Sequence, residues 1–296
     1  MKRIIFTHGK NPKPPPAAHR ELLLRCLLHG VGKVDREIAF EIETSDCFTL
    51  VSWSHLFYDH YRDSDNDATW VNRLLAEVDP PADIKAARPL KYRAAKAMYT
   101  LGDYLPWVIP LIPDPRVKIS IQETANYFCN QDNAACHIRQ LQKAPLREAA
   151  EGGERVLLIG HSMGSIIAYD SLWELQHLEG FKSCIDRLLT LGSPLGMNYV
   201  QRRLAGRDAR HLGHYPCNIN DWVNISSRGD LVALDPSLAN DFQAMVDNQC
   251  ISSIRDMRND ILNNYRDDKG LNVHKSYGYL ANPHVAQVIA DWWRVA

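Results

Sequence analysis

The sequence predicts an α/β protein built on a mainly parallel, doubly wound sheet. Three observations predict it. Aliphatic runs of strand length recur along the chain, and amphipathic helical stretches lie between them. The cleanest run, Val156-Leu157-Leu158-Ile159, enters a glycine-bearing turn with a helix directly behind it. An unbroken aliphatic run of that length is the pattern of a strand buried on both faces.

The elements follow in order. Arg3 to Thr7 reads as a short buried strand, rich in β-branched and aromatic residues. The next segment, His8 to Pro16, is dense in Gly, Asn and Pro and reads as a loop. Ala17 to Gly30 carries a stripe of Leu22, Leu23, Leu24, Leu27 and Leu28, which predicts a helix with Gly30 as its C-cap. Strands are expected at Phe48 to Trp53, Arg155 to Ile159, Leu188 to Leu191, Trp222 to Ser226 and, more weakly patterned, Ile251 to Met257. Helices are expected at Gly164 to Leu178 and His284 to Val295. The stretch from about 55 to 149 has helical pattern, many aromatics and no clear strand. It is read as a helical insertion, a cap or lid, within a single domain of residues 1–296.

Bulk properties narrow the classes. With 45% hydrophobic residues and 23% charged among 296, the chain can fill a sizeable core. A net charge of −1 supplies no global field for nucleic acid. The seven cysteines are odd in number, scattered and without CxxC, which argues against a disulfide framework and a zinc cluster. Reduced thiols, and an apolar run Ile4-Ile5-Phe6 too short for a signal peptide, predict a cytoplasmic protein. Prolines 106, 110 and 113 break the greasiest stretch, Tyr104 to Ile112, so it is no membrane span.

The decisive motif is Gly160-His161-Ser162-Met163-Gly164, set between the aliphatic strand and an amphipathic helix. To lift a serine hydroxyl above the sheet, the backbone must turn very tightly, and only tiny residues fit two before and two after it. The helix behind Ser162 aims its positive end at the spot where an oxyanion would form. GxSxG alone is a weak signal; in this strand–turn–helix setting it marks a nucleophile.

The motif in this setting resembles the α/β-hydrolase superfamily, in particular its lipase- and esterase-like members. That resemblance implies a Ser–acid–His order along the chain. Asp230, in Gly229-Asp230-Leu231-Val232 after the strand at Trp222, matches the acid, with Leu231 where many lipases have Pro. Asp221 precedes that strand, and Asp235 suits a helix cap. His274, in His274-Lys275-Ser276-Tyr277 ahead of the terminal helix, matches the base; His284 follows Pro283 and falls in the helix's first turn. His8-Gly9 resembles the lipase oxyanion loop, which implies amides from Lys10 and Met163, close backbone approach at Gly9, and no first pair of antiparallel strands. His8, Gly9, His161 and Leu195 are the binding candidates, with Ser193 beside Leu195; a plain turn is the alternative for Leu189 to Gly196. His211 and His214 lack a third metal ligand, so no metal is assigned.

The function expected is hydrolysis of a carboxylic ester through an acyl-enzyme on Ser162, with no cofactor. A thioesterase or acyltransferase with the same residues, and an inactive binding module, are the alternatives. Expected partners are a small-molecule or lipid acyl ester and, through Tyr104 to Ile112, a peripheral lipid surface, but no nucleic acid.

Overall fold

The computed structural model describes residues 1–77, 123–233, 235, 237–258 and 261–295. The fold is α/β. Six strands form one wholly parallel sheet: β1 Lys2–Thr7, β2 Phe48–Val51, β3 Arg155–His161, β4 Ile185–Leu191, β5 Ile219–Ile225 and β6 Ser253–Met257. Their order is β2-β1-β3-β4-β5-β6. The chain therefore leaves β1 toward one edge and returns to its other side at β3, in register Phe6↔Ile159. Ligands of such sheets bind at this reversal, beyond the carboxyl ends of the strands.

Side chains alternate along each strand between two cores, as a period of two requires. Ile4, Phe6, Leu157, Ile159, Leu189, Leu191, Val223 and Ile225 enter one core. Ile5, Val156, Leu158, Leu188 and Trp222 enter the other. Each fully buried aliphatic side chain contributes about 1.5–3 kcal/mol. The first core is closed by helices α1 Pro16–Val34, α2 Arg36–Thr44, α3 Ser64–Ala76, α6 Ser276–Leu280 and α7 Pro283–Arg294. The second is closed by α4 Ala134–Glu151 and α5 Met163–His177. Helices on both faces make the sheet doubly wound. Among the described residues no helix is long and apolar enough to cross a membrane.

Two expectations change. Gly30 is not a C-cap: α1 runs on to Val34. A Cβ at Gly30 would overlap the Leu280 carbonyl oxygen, so the glycine lets α1 lie against α6. Asp35 ends α1 and then caps α2, accepting from the amides of Glu37 (3.0 Å) and Ile38 (3.2 Å). Cys217 and Cys250 form a disulfide, against the expectation of reduced thiols. They stand just before the neighbouring strands β5 and β6, so the two entry turns meet with a Cα separation of 4.4 Å across 33 residues of sequence. Cys26, Cys47, Cys129, Cys136 and Cys184 are free. The described ends of the 55–149 stretch pack onto the sheet layers, Val71 in one core and Ala135, Ile138 and Leu146 in the other. The run Tyr104 to Ile112 lies outside the described residues.

Candidate active site

Ser162 sits where β3 gives way to α5, with φ 54° and ψ −126°. A non-glycine residue is held in such a conformation only when its surroundings fix it. They do so closely. Its amide donates to Leu191 O (2.9 Å), extending the β3–β4 ladder. Ser165 Oγ donates to Ser162 O (2.6 Å), accepts from Ser193 Oγ (2.7 Å), and Leu195 N donates to Ser193 Oγ (3.1 Å). This chain of hydroxyls clamps the turn from below. A Cβ at Gly160 would stand 2.7 Å from Ser165 Cα, and one at Gly164 would overlap Thr7 O. The second glycine thus makes room for the end of β1, and the first lies against the second: a Cβ at Gly160 would stand 3.0 Å from Gly164 O.

That arrangement brings the loop after β1 onto the serine. A Cβ at Gly9 would lie 2.7 Å from Ser162 Cβ. His8 holds the loop in place. Its Nδ1 donates to Gly9 O (2.7 Å), its Nε2 accepts from Trp53 N (3.1 Å), and Trp53 Nε1 donates to His8 O (2.8 Å). The two rings stack at 4.9 Å. Burial, then the nearby Lys13 charge, pushes the His8 pKa well below the usual histidine value, which keeps Nε2 free to accept. Met163 opens α5, so its amide is one of the helix's unpaired first-turn donors. Lys10 follows Gly9, and burial pushes its side-chain pKa down to about 8 despite attraction from Glu123.

Asp230 and His274 meet. Nδ1 of His274 donates to Asp230 Oδ2 at 2.8 Å. Tyr279 OH donates to the same oxygen at 2.7 Å and accepts from Ser227 N at 2.8 Å. Val232 N donates to Asp230 Oδ1 at 2.9 Å. Burial works to raise the Asp230 pKa; the His274 charge and hydrogen bond, then Tyr279 and the Val232 amide, outweigh it and hold the carboxyl below its usual range. His161 Nε2 donates to His274 O (2.7 Å), and the two rings lie 4.8 Å apart. Burial first, then the His274 charge, depresses the His161 pKa well below normal, so it acts as a neutral clasp on the loop of His274. Gly192, at φ 55°, packs against this group: a Cβ there would stand 2.6 Å from Asp230 Oδ2 and 3.0 Å from His274 Nδ1. Among the described residues no hydrogen bond joins Ser162 Oγ to His274.

The remaining candidates fall elsewhere. Asp221 pairs with Arg187 through two 2.7 Å bonds at the far end of β5. Asp235 caps the turn at Ser237 (2.9 Å), and His284 stands in the first turn of α7. Leu195 is wholly buried in the core beneath α5. His211 and His214 share an exposed 3-10 turn, and among the described residues no cluster suited to a metal occurs. Ser193, expected beside Leu195 at the pocket, is instead buried against Ser165. Sequence reasoning missed Tyr279, Trp53 and Ser165. Each is a common residue type with no motif of its own, identifiable only once the strands are side by side. Comparison with family models, with curated proteins and with solved structures yields no match for this chain.

Proposed function

We propose that this chain is a serine hydrolase of the α/β-hydrolase fold that cleaves a carboxylic ester. One observation carries the reading: a serine held at φ 54° at the carboxyl end of a central strand, directly after His161, which bonds the loop of a histidine paired with a buried carboxylate. No metal or cofactor is needed for the chemistry. His274 Nε2 takes the hydroxyl proton as Ser162 Oγ bonds to the acyl carbon. The negative charge moves to the carbonyl oxygen, facing the amides of Met163 and Lys10 and the positive end of α5. When the carbon–oxygen bond to the alcohol breaks, His274 returns the proton to the departing oxygen. Water, deprotonated by His274, then releases the acid and restores Ser162. Asp230 keeps the Nδ1–H tautomer of His274 and stabilises its cation.

The test is covalent labelling with a fluorophosphonate, followed by mass-spectrometric location of the adduct. The expected adduct is on Ser162, absent in Ser162→Ala and strongly slowed in His274→Ala. A folded wild-type protein that takes up no probe, or takes it up elsewhere, would overturn the reading.

A further inference from the structure

A charged residue stands on the core-facing stripe of α3. Asp67 and Val71 are four apart, share one face of the helix and are both buried, Asp67 to 1% exposure. Such a stripe normally carries apolar side chains, because a buried carboxylate is costly unless partners meet it. Asp67 is met by three, from two different parts of the chain. Arg62 Nη2 lies 2.9 Å from its Oδ1. Tyr277 OH donates to its Oδ2 at 3.1 Å, and Lys275 Nζ donates to the same oxygen at 3.4 Å.

These partners lead to the two loops of the candidate active site. Arg62 directly precedes Asp63, the cap of α3, and its guanidinium lies over the Trp70 ring at 5.2 Å. Its amide donates to Lys13 O at 2.8 Å, and Lys13 Nζ donates in turn to Lys10 O. Lys275 follows His274 directly. Its ammonium stands over the rings of Tyr277 and Tyr265 at 5.1 and 5.5 Å. Its backbone is held as well: Lys275 N donates to Asn272 O (3.2 Å), and Lys275 O accepts from Asn263 Nδ2 (2.8 Å).

We infer that Asp67 is a positioning residue: it joins the segment that holds the Lys10 loop to the loop that carries His274, and so sets where the base stands relative to the oxyanion site. This rests on the hydrolase reading above. Among the described residues Asp67 bonds to neither Ser162 nor His274, so it acts through Arg62, Lys275 and Tyr277. A shift of about 1 Å between reacting groups can cost on the order of 100-fold in rate, which gives such a tie its leverage.

The experiment follows fluorophosphonate labelling of Ser162, its rate constant and its end point, beside kcat and KM for 4-nitrophenyl butyrate. Wild type, Asp67→Asn, Lys275→Met, the double variant and Lys275→Arg are compared. Asp67→Asn and Lys275→Met are each expected to slow labelling and kcat about 10- to 100-fold, with KM within about threefold and the labelled fraction still complete. The double variant should be no slower than the slower single one, because both changes cut the same tie, and Lys275→Arg should keep most of the rate. A merely structural loss lowers the labelled fraction and leaves the rate constant of the folded molecules unchanged. That result, or slowdowns that multiply in the double variant, would overturn the inference while leaving the hydrolase reading intact. If Asp67→Asn does not fold, a slow Lys275→Met beside a fast Lys275→Arg upholds the tie, and equal rates in the two overturn it. If the wild type takes up no probe, the hydrolase reading fails, and hydrogen exchange decides the tie itself. Amides of His274 and Lys275 that exchange at least about tenfold faster in Asp67→Asn uphold it, and unchanged exchange overturns it.

Discussion

Ser162→Ala leaves the elbow without its hydroxyl, and turnover of 4-nitrophenyl butyrate should fall to background. Asp230→Asn is subtler. An amide in place of the carboxylate donates toward Nδ1 and favours the wrong tautomer, so kcat is expected to drop roughly 10⁴-fold with little change in KM. Tyr279→Phe removes one donor from a fully buried carboxylate. The Asp230 pKa is depressed in the fold, so its stabilisation is present above the ordinary carboxylate value and is lost as pH falls through the folded one. Without Tyr279 that depression shrinks. The acid-unfolding midpoint, followed by circular dichroism, should therefore move to higher pH than in the wild type; an unchanged midpoint would show that Tyr279 does not support the carboxylate. At this scale Ser162 was readable because its motif is contiguous. Asp230 and His274 required the Ser–acid–His order that the resemblance implied, and Tyr279 required the fold itself: it lies 49 residues from the carboxylate it serves.

Helix α5 carries a second buried acid. Asp170 accepts from Tyr127 OH (3.0 Å) and Ala205 N (2.8 Å), and burial raises its pKa to about 6. A raised folded pKa means the fold binds the proton more tightly than the unfolded chain. Stability from this group is therefore full below the usual carboxylate range and declines as pH rises to about 6. Asp170→Asn should raise the melting temperature at pH 7.5 relative to wild type and raise it less at pH 4.5; the ceiling is about 3 kcal/mol. Gly30→Ala places a methyl group against the Leu280 carbonyl and should cost about 1–3 kcal/mol in chemical denaturation, with α6 displaced and Tyr279 with it. The strands were legible because each is an aliphatic run bounded by turn residues. Helix α2 was not, since Asp35 closes one helix and opens the next with no intervening loop. Gly30 misled for a related reason: a glycine demanded by a neighbouring helix looks, in sequence, like one demanded by a terminus.

Across the whole molecule, the disulfide ties the starts of two edge-side strands, β5 and β6. Removing it by Cys250→Ser lifts a constraint on a loop of 33 residues and is expected to cost roughly 3–4 kcal/mol in the chain-entropy treatment. A much smaller loss in urea denaturation under non-reducing conditions would mean that packing of the entry turns already fixes their separation. The alternation of strands and helices announced the parallel sheet, but strand order did not follow from it. The reversal that sets β1 between β2 and β3, and so places the His8–Gly9 loop over Ser162, is a property of long-range pairing that no local window records.

That reversal also governs how quickly the protein can become competent. Phe6 must find Ile159 before the central strand pair exists, and every neighbouring strand in the sheet is joined by a crossover. Closing so long a loop comes before any contact rewards it, so high contact order should make refolding slow. The serine and the loop that covers it belong to opposite sides of that closure. Partly folded chains should hold no reactive Ser162, and fluorophosphonate uptake after dilution from denaturant should rise with the final tryptophan fluorescence phase, never ahead of it.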